Sequence, residues 1–189
     1  VLLTTIQPKN SIATLLTETL PQRTKESIFE RGAVNELRNT VITMTLDVSG
    51  TCYSYKVANG CDIEVVCGKI AEAMVTVRVS EEELEKMIQN DELDIILMVM
   101  TELNKNKYDT VKNLNGSFYA ELSNDDGSQY HIEVIFNGAM EPNALFKMKT
   151  SDSALLLKKE KNPVNLFMAG DLQIEGDIQF SMATQSLFI

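Results

Sequence analysis

The chain has 189 residues, a formal net charge of −10, and a composition that is 44% hydrophobic and 23% charged. That mixture suits a globular protein with a buried core. Its acidic balance argues against nucleic acid as a partner, which needs a concentrated basic surface, and limits any membrane contact to a transient one.

No run reaches the roughly 18 continuous apolar residues of a membrane-spanning helix. Val1 to Ile6 lacks the basic flank and long apolar core of a signal peptide, and the absent initiator methionine fits a trimmed chain. Cys52, Cys61 and Cys67 are odd in number, which a reducing, cytoplasmic setting explains more simply than a disulfide framework.

In chain order, Ser11 to Leu37 reads as helix-rich, with Pro21 as a break or a helix start. Val41 to Val48, Cys52 to Val57 and Asp62 to Cys67 alternate as strands, with Ala58-Asn59-Gly60 as a hairpin turn. Ser80 to Glu83 is a capping box, Ser80 at the N-cap and Glu83 reaching back to it. The helical pattern then runs from Leu84 to about Asn104 with a break near Asn90-Asp91. Ile95 to Met100 is apolar all round, so that helix must be covered by core, partner or ligand. Asn124 to Gly127 closes a hairpin between Ser117 to Leu122 and Tyr130 to Phe136, whose residues Tyr130, Ile132, Val134 and Phe136 share a face.

A weak internal repeat runs through these elements. Gly50 to Tyr53 matches Gly116 to Tyr119, Ile63 to Val66 matches Ile132 to Ile135, and Ala73 to Ser80 matches Ala144 to Ser151. The offset drifts only at turns, where added length costs little. Each unit reads as strands in meander followed by a helix.

The C-terminal segment is the most informative. Ser151-Asp152 opens a helix through Leu155, Leu156 and Leu157. Asn162-Pro163 is an N-cap and first-turn pair for a second, short helix, which Gly170 would end in a left-handed conformation. Asp171 to Asp177 alternates as a strand, and Ile178, Phe180, Met182, Leu187 and Phe188 form a final amphipathic piece. This ordered set resembles the C-terminal signature of the sterol carrier protein type-two family. It is carried by Ser151, Asp152, Leu155, Leu156, Asn162, Pro163, Phe167, Gly170, Leu172, Ile174, Gly176, Asp177, Met182 and Leu187. The resemblance covers about Asp91 to Ile189 and reaches Val41 to Asn90 only through the repeat. After Asn90 the first unit lacks the Asn-Pro, the Gly-Asp strand and the terminal helix, and Leu187-Phe188-Ile189 is not a peroxisomal address.

The resemblance implies a five-stranded, mostly antiparallel sheet covered by helices on one face. It also implies an apolar tunnel for fatty acyl chains, sterols or isoprenoids, and roles as a carrier or an accessory domain. The expectation is an α+β protein of two sterol-carrier-like units, 1–90 with the N-terminal helical segment and 91–189 with the lipid site. Candidate cavity liners are Met98, Met100, Phe146, Met148, Leu156, Phe167, Met168, Phe180, Met182 and Phe188, each of which serves a core equally well. The alternative is an interaction module with a filled core, in which the helix from Asp94 to Met100 joins a homodimer or docks an enzyme.

A catalytic reading has little to build on. His131 is the single histidine, and no Gly-x-Ser-x-Gly elbow accompanies it. Cys61 and Cys67 lack the histidine company and close pairing of a zinc site, and read as buried small hydrophobes or, failing that, a thiol nucleophile. The carboxylates have cap, turn and surface explanations. No cofactor, metal or catalytic residue is therefore assigned, and a cofactor-free lipid hydrolase or isomerase remains the weakest alternative.

Overall fold

A computed structural model describes residues 12–188 of the chain. The readings of Val1 to Ile6, of Ser11 as the first helical residue and of Ile189 fall outside the described residues.

The N-terminal helix ends earlier than Leu37. A π-helical turn at Leu15–Thr19 leads into α1 (Leu20–Glu30), with Pro21 in its first turn, where a missing N–H costs nothing. Leu16, Leu20 and Ile28 are buried. The Tyr55 hydroxyl donates to the Leu16 carbonyl at 2.6 Å, and burial raises the pKa of that phenol.

The strands are β1 (Val41–Val48), β2 (Thr51–Ala58), β3 (Asp62–Cys67), β4 (Val75–Val79), β5 (Gly116–Ser123), β6 (Gln129–Phe136), β7 (Asn143–Lys149) and β8 (Gln173–Gly176). They form one eight-stranded sheet in the order β3-β2-β1-β4-β6-β5-β7-β8. Most pairings are antiparallel, but β1 with β4 and β5 with β7 are parallel. The fold is α+β, as expected, and the sheet runs unbroken from one half of the chain into the other through the antiparallel pair β4 and β6.

Strand pairing does not confirm the sequence repeat. The matched blocks set β2 against β5, yet β4 lies beside β1 whereas β7 lies beside β5. The connection pattern instead aligns β1 with β5 and β2 with β6: a hairpin, then a strand parallel to the first, then a helix, with β3 as an additional strand in the first half. The meander expectation fails at β4 and β7, because a parallel neighbour needs a crossover that local turn signals do not announce.

Ser80 caps α2 (Glu81–Gln89), its hydroxyl accepting from the Glu83 N–H at 3.1 Å. Glu83 does not reach back to Ser80. Its Oε1 accepts from the backbone N–H of His131 and meets His131 Nδ1, both at 3.0 Å. The register explains this: Arg78 pairs with Glu133, so the next ladder place beside His131 belongs to Ser80, where the strand has already become a helix cap. The Glu83 carboxylate fills the vacant acceptor position.

The expected break separates α2 from α3 (Asp94–Thr101), with Asp91 at φ 55°. A further helix, α4 (Lys105–Asn113), follows, capped by Asn104. Beyond the sheet come α5 (Thr150–Leu157), α6 (Pro163–Met168) and α7 (Ile178–Thr184), then a 3₁₀ turn at Gln185–Phe188. Asn162 caps α6 through the Asn165 N–H at 2.8 Å, and Gly170 ends it at φ 79°, both as expected. Helix α1 is tied to the end of α3: the Ser27 hydroxyl donates to the Thr101 carbonyl, and the Arg31 guanidinium donates to the carbonyls of Thr101 and Leu103 at 3.1 and 2.9 Å.

Candidate ligand-binding cavity

Alternation along the strands gives the sheet one apolar face under the helices. Phe118, Ala120 and Leu122 of β5 stand beside Ile132, Val134 and Phe136 of β6, flanked by Val77 of β4, Phe146 and Met148 of β7 and Ile174 of β8. The opposite face carries a charged row across adjacent strands, where Arg78 lies 3.7 Å from Asp47 and 3.5 Å from Glu133.

Between the apolar face and the helices lies a cavity of about 120 Å³. Its roof comes from Ile95, Ile96, Met98 and Val99 of α3, Leu156 and Leu157 of α5, Pro163 of α6, and Leu187 and Phe188 of the terminal turn. Among the described residues, no ionisable side chain lines it. The three hydroxyls in the wall donate to carbonyls of their own helices: Ser153 to Thr150 at 2.6 Å, Ser181 to Asp177 at 2.7 Å and Thr184 to Ser181 at 2.7 Å. With their protons engaged, they leave a dry chamber of the kind apolar ligands occupy.

Five of the ten candidate liners stand around this cavity: Met98, Phe146, Met148, Leu156 and Phe188. Met100 and Phe180 are buried elsewhere in the core, Phe180 packing on Phe136 with ring centroids 6.4 Å apart. Phe167, Met168 and Met182 are exposed, at 49%, 78% and 66%, and do not line it. Their helices are short, and buried residues on the other side (Leu166; Phe180, Ser181 and Thr184) turn these three outward. The sheet-side liners of β5 and β6 were missed as candidates, although their alternation was already visible.

Elsewhere, Cys52 is buried, Cys61 half-buried and Cys67 exposed, all three as free thiols. Burial, together with the nearby Asp47 carboxylate, pushes the Cys52 thiol pKa up, away from nucleophilic use. Among the described residues, no group of three His, Cys, Asp or Glu side chains is arranged to hold a metal ion. Nor is any helix there long and apolar enough to cross a membrane.

Residues 97–188 match the model of the SCP-2 sterol transfer family, the family whose C-terminal signature this segment resembles. No curated protein matches the sequence. The chain is similar to a solution structure of sterol carrier protein domain 2 of Helicoverpa armigera, at 16% identity over 56% of this chain and 84% of that one, with a TM-score of 0.36. A UbiJ-SCP2 ubiquinone synthesis protein aligns at 13% identity over 96% of this chain and 92% of that one, TM-score 0.30. The apo form of sterol carrier protein 2 from Yarrowia lipolytica aligns at 13% identity over 91% and 89%, TM-score 0.25.

Proposed function

We propose that this protein binds and carries a lipid or other long apolar ligand (fatty acyl, sterol or isoprenoid) without transforming it, in the cavity of its C-terminal unit. The observation that carries this reading is the chamber with no ionisable lining, set between sheet and helices in the half that matches a sterol transfer family. Burial of ligand surface would supply the affinity, at roughly 25 cal/mol per Å² before association costs. A volume of about 120 Å³ is close to that of a cavity that admits a single benzene ring. A long ligand therefore enters by displacing Met98, Met148 and Phe188, two unbranched thioethers and a ring on the terminal turn. The free cysteines fit a reducing, cytoplasmic setting, and the division into 1–90 as scaffold and 91–189 as lipid unit is part of the same proposal.

Native mass spectrometry of protein purified without detergent, followed by solvent extraction, tests it. A stoichiometric co-purifying lipid is expected; an empty protein that takes up no added lipid would overturn it. A second reading, an accessory module that binds another protein or its own copy, is favoured by one observation. Val164, Phe167, Met168, Ile178 and Met182, on the two short C-terminal helices, are all exposed.

A further inference from the structure

Outside the chamber, a groove of about 420 Å³ lies between the α2–α3 turn, the β5–β6 turn and α5. The two spaces share two walls, Ile95 of α3 and Leu157 of α5. A third recess, of about 230 Å³, opens on the same seam and shares Met98 and Leu157 with the chamber. Ile95, Met98 and Leu157 therefore form the partition between dry interior and wet exterior, and all three are side chains that can swing without breaking a backbone hydrogen bond.

The groove is as polar as the chamber is apolar. Asp91, Glu92, Asp94, Asp125 and Asp126 line it against two cations, Lys86 and Lys158. Lys86 is already committed: its Nζ donates to Asp126 at 2.6 Å and to the Ser128 hydroxyl. Burial, with the neighbouring Glu92 carboxylate, pushes the Tyr130 phenol up to about 12, and Glu92 Oε2 is buried without a hydrogen-bond partner. Asp91, Glu92, Asp94 and Asp125 thus face the groove beside Lys158, alongside the amides of Asn90 and Asn124 and the hydroxyls of Thr150 and Ser151.

We infer that the ligand enters through the α3–α5 seam and leaves its polar end in this groove, so that the protein selects amphiphiles with an uncharged hydroxylic or cationic head and rejects free carboxylates. The inference rests on the proposed apolar-ligand function and specifies its substrate class. A carboxylate head would meet several like charges at close range in the groove, whereas an alcohol donates to them and an ammonium pairs with them.

The test uses twelve-carbon alcohol, amine and carboxylate, each competing at neutral pH with a neutral apolar fluorescent probe on the full chain. The alcohol and amine are expected to displace the probe, and the carboxylate to need about tenfold more. In Asp91→Asn/Asp94→Asn/Asp125→Asn that gap should close to within about threefold. The same charge change at the remote, exposed Glu18→Gln/Glu64→Gln/Glu72→Gln should leave it open. A carboxylate that competes as well as the alcohol in the unaltered protein, or a gap that the remote variant closes equally, overturns the seam inference. Failure of the probe and all three competitors to bind overturns the apolar-ligand reading itself.

Discussion

Lys86 reaches from α2 to the β5–β6 turn, and the charge it meets there is set by that contact. Its hydrogen bond, followed by those from Ser128, holds the Asp126 carboxyl well below the usual carboxylate range. A carboxylate with a depressed folded pKa adds stability that is complete above its unfolded value, about 3.9, and is lost as pH falls toward the folded one. The stability difference between the native chain and Asp126→Asn, read from urea unfolding at a series of pH values, should be constant above about pH 5 and shrink below about pH 4. A difference that holds steady through that acid range would remove the ion pair from the account. Lys107 poses the opposite case: it is 2% exposed, burial lowers its pKa, and Glu102 at 3.0 Å offsets the desolvation.

Among elements, α7 shows how the roof is fastened. Gly116 opens β5 at φ 143°, and a Cβ there would lie 2.5 Å from the Phe180 ring and 2.6 Å from the Pro142 carbonyl. Gly116→Ala should therefore cost about 3 kcal/mol in urea unfolding, from backbone strain together with displacement of the ring that holds α7 down. A loss below about 0.5 kcal/mol, the range of an ordinary surface change, would mean that α7 is not anchored this way.

The same elements show what sequence can convey. Alternation placed β1 and β6 closely, because each has one face in the core, and it also located the edge strand β3, whose inner residues are only half-buried. Capping chemistry marked the starts of α2 and α6. Helix α4 escaped notice because Lys105 to Asn113 is polar almost throughout and buries only Lys107 and Val111. Neighbours in the sheet escaped too: nothing in Val75 to Val79 states that Leu46 will lie beside Val77. For the site, hydrophobicity identified Met98, Phe146 and Leu156 but also Phe167 and Met168, since a short helix shows no periodicity long enough to tell its inner face from its outer one.

Across the whole molecule, the two halves have unequal roles. Residues 97–188 supply four strands, β6-β5-β7-β8, one fewer than the resemblance implies. Strand β4 of the N-terminal half lies against the otherwise open edge of β6, where it removes an unpaired ladder and contributes Val77 to the cavity wall. The first half thus extends the sheet of the second and adds one wall residue, and the apolar chamber is the feature on which the functional proposal turns. The most direct measurement is a fluorescence titration with a neutral apolar probe, comparing the native chain with Ala120→Ile, which adds methyl and methylene groups to the chamber floor. The native chain should bind saturably with one site, while the variant unfolds at the same or higher urea concentration yet binds about tenfold or more weakly. Equal binding by a stably folded Ala120→Ile would contradict the placement of the ligand in the chamber.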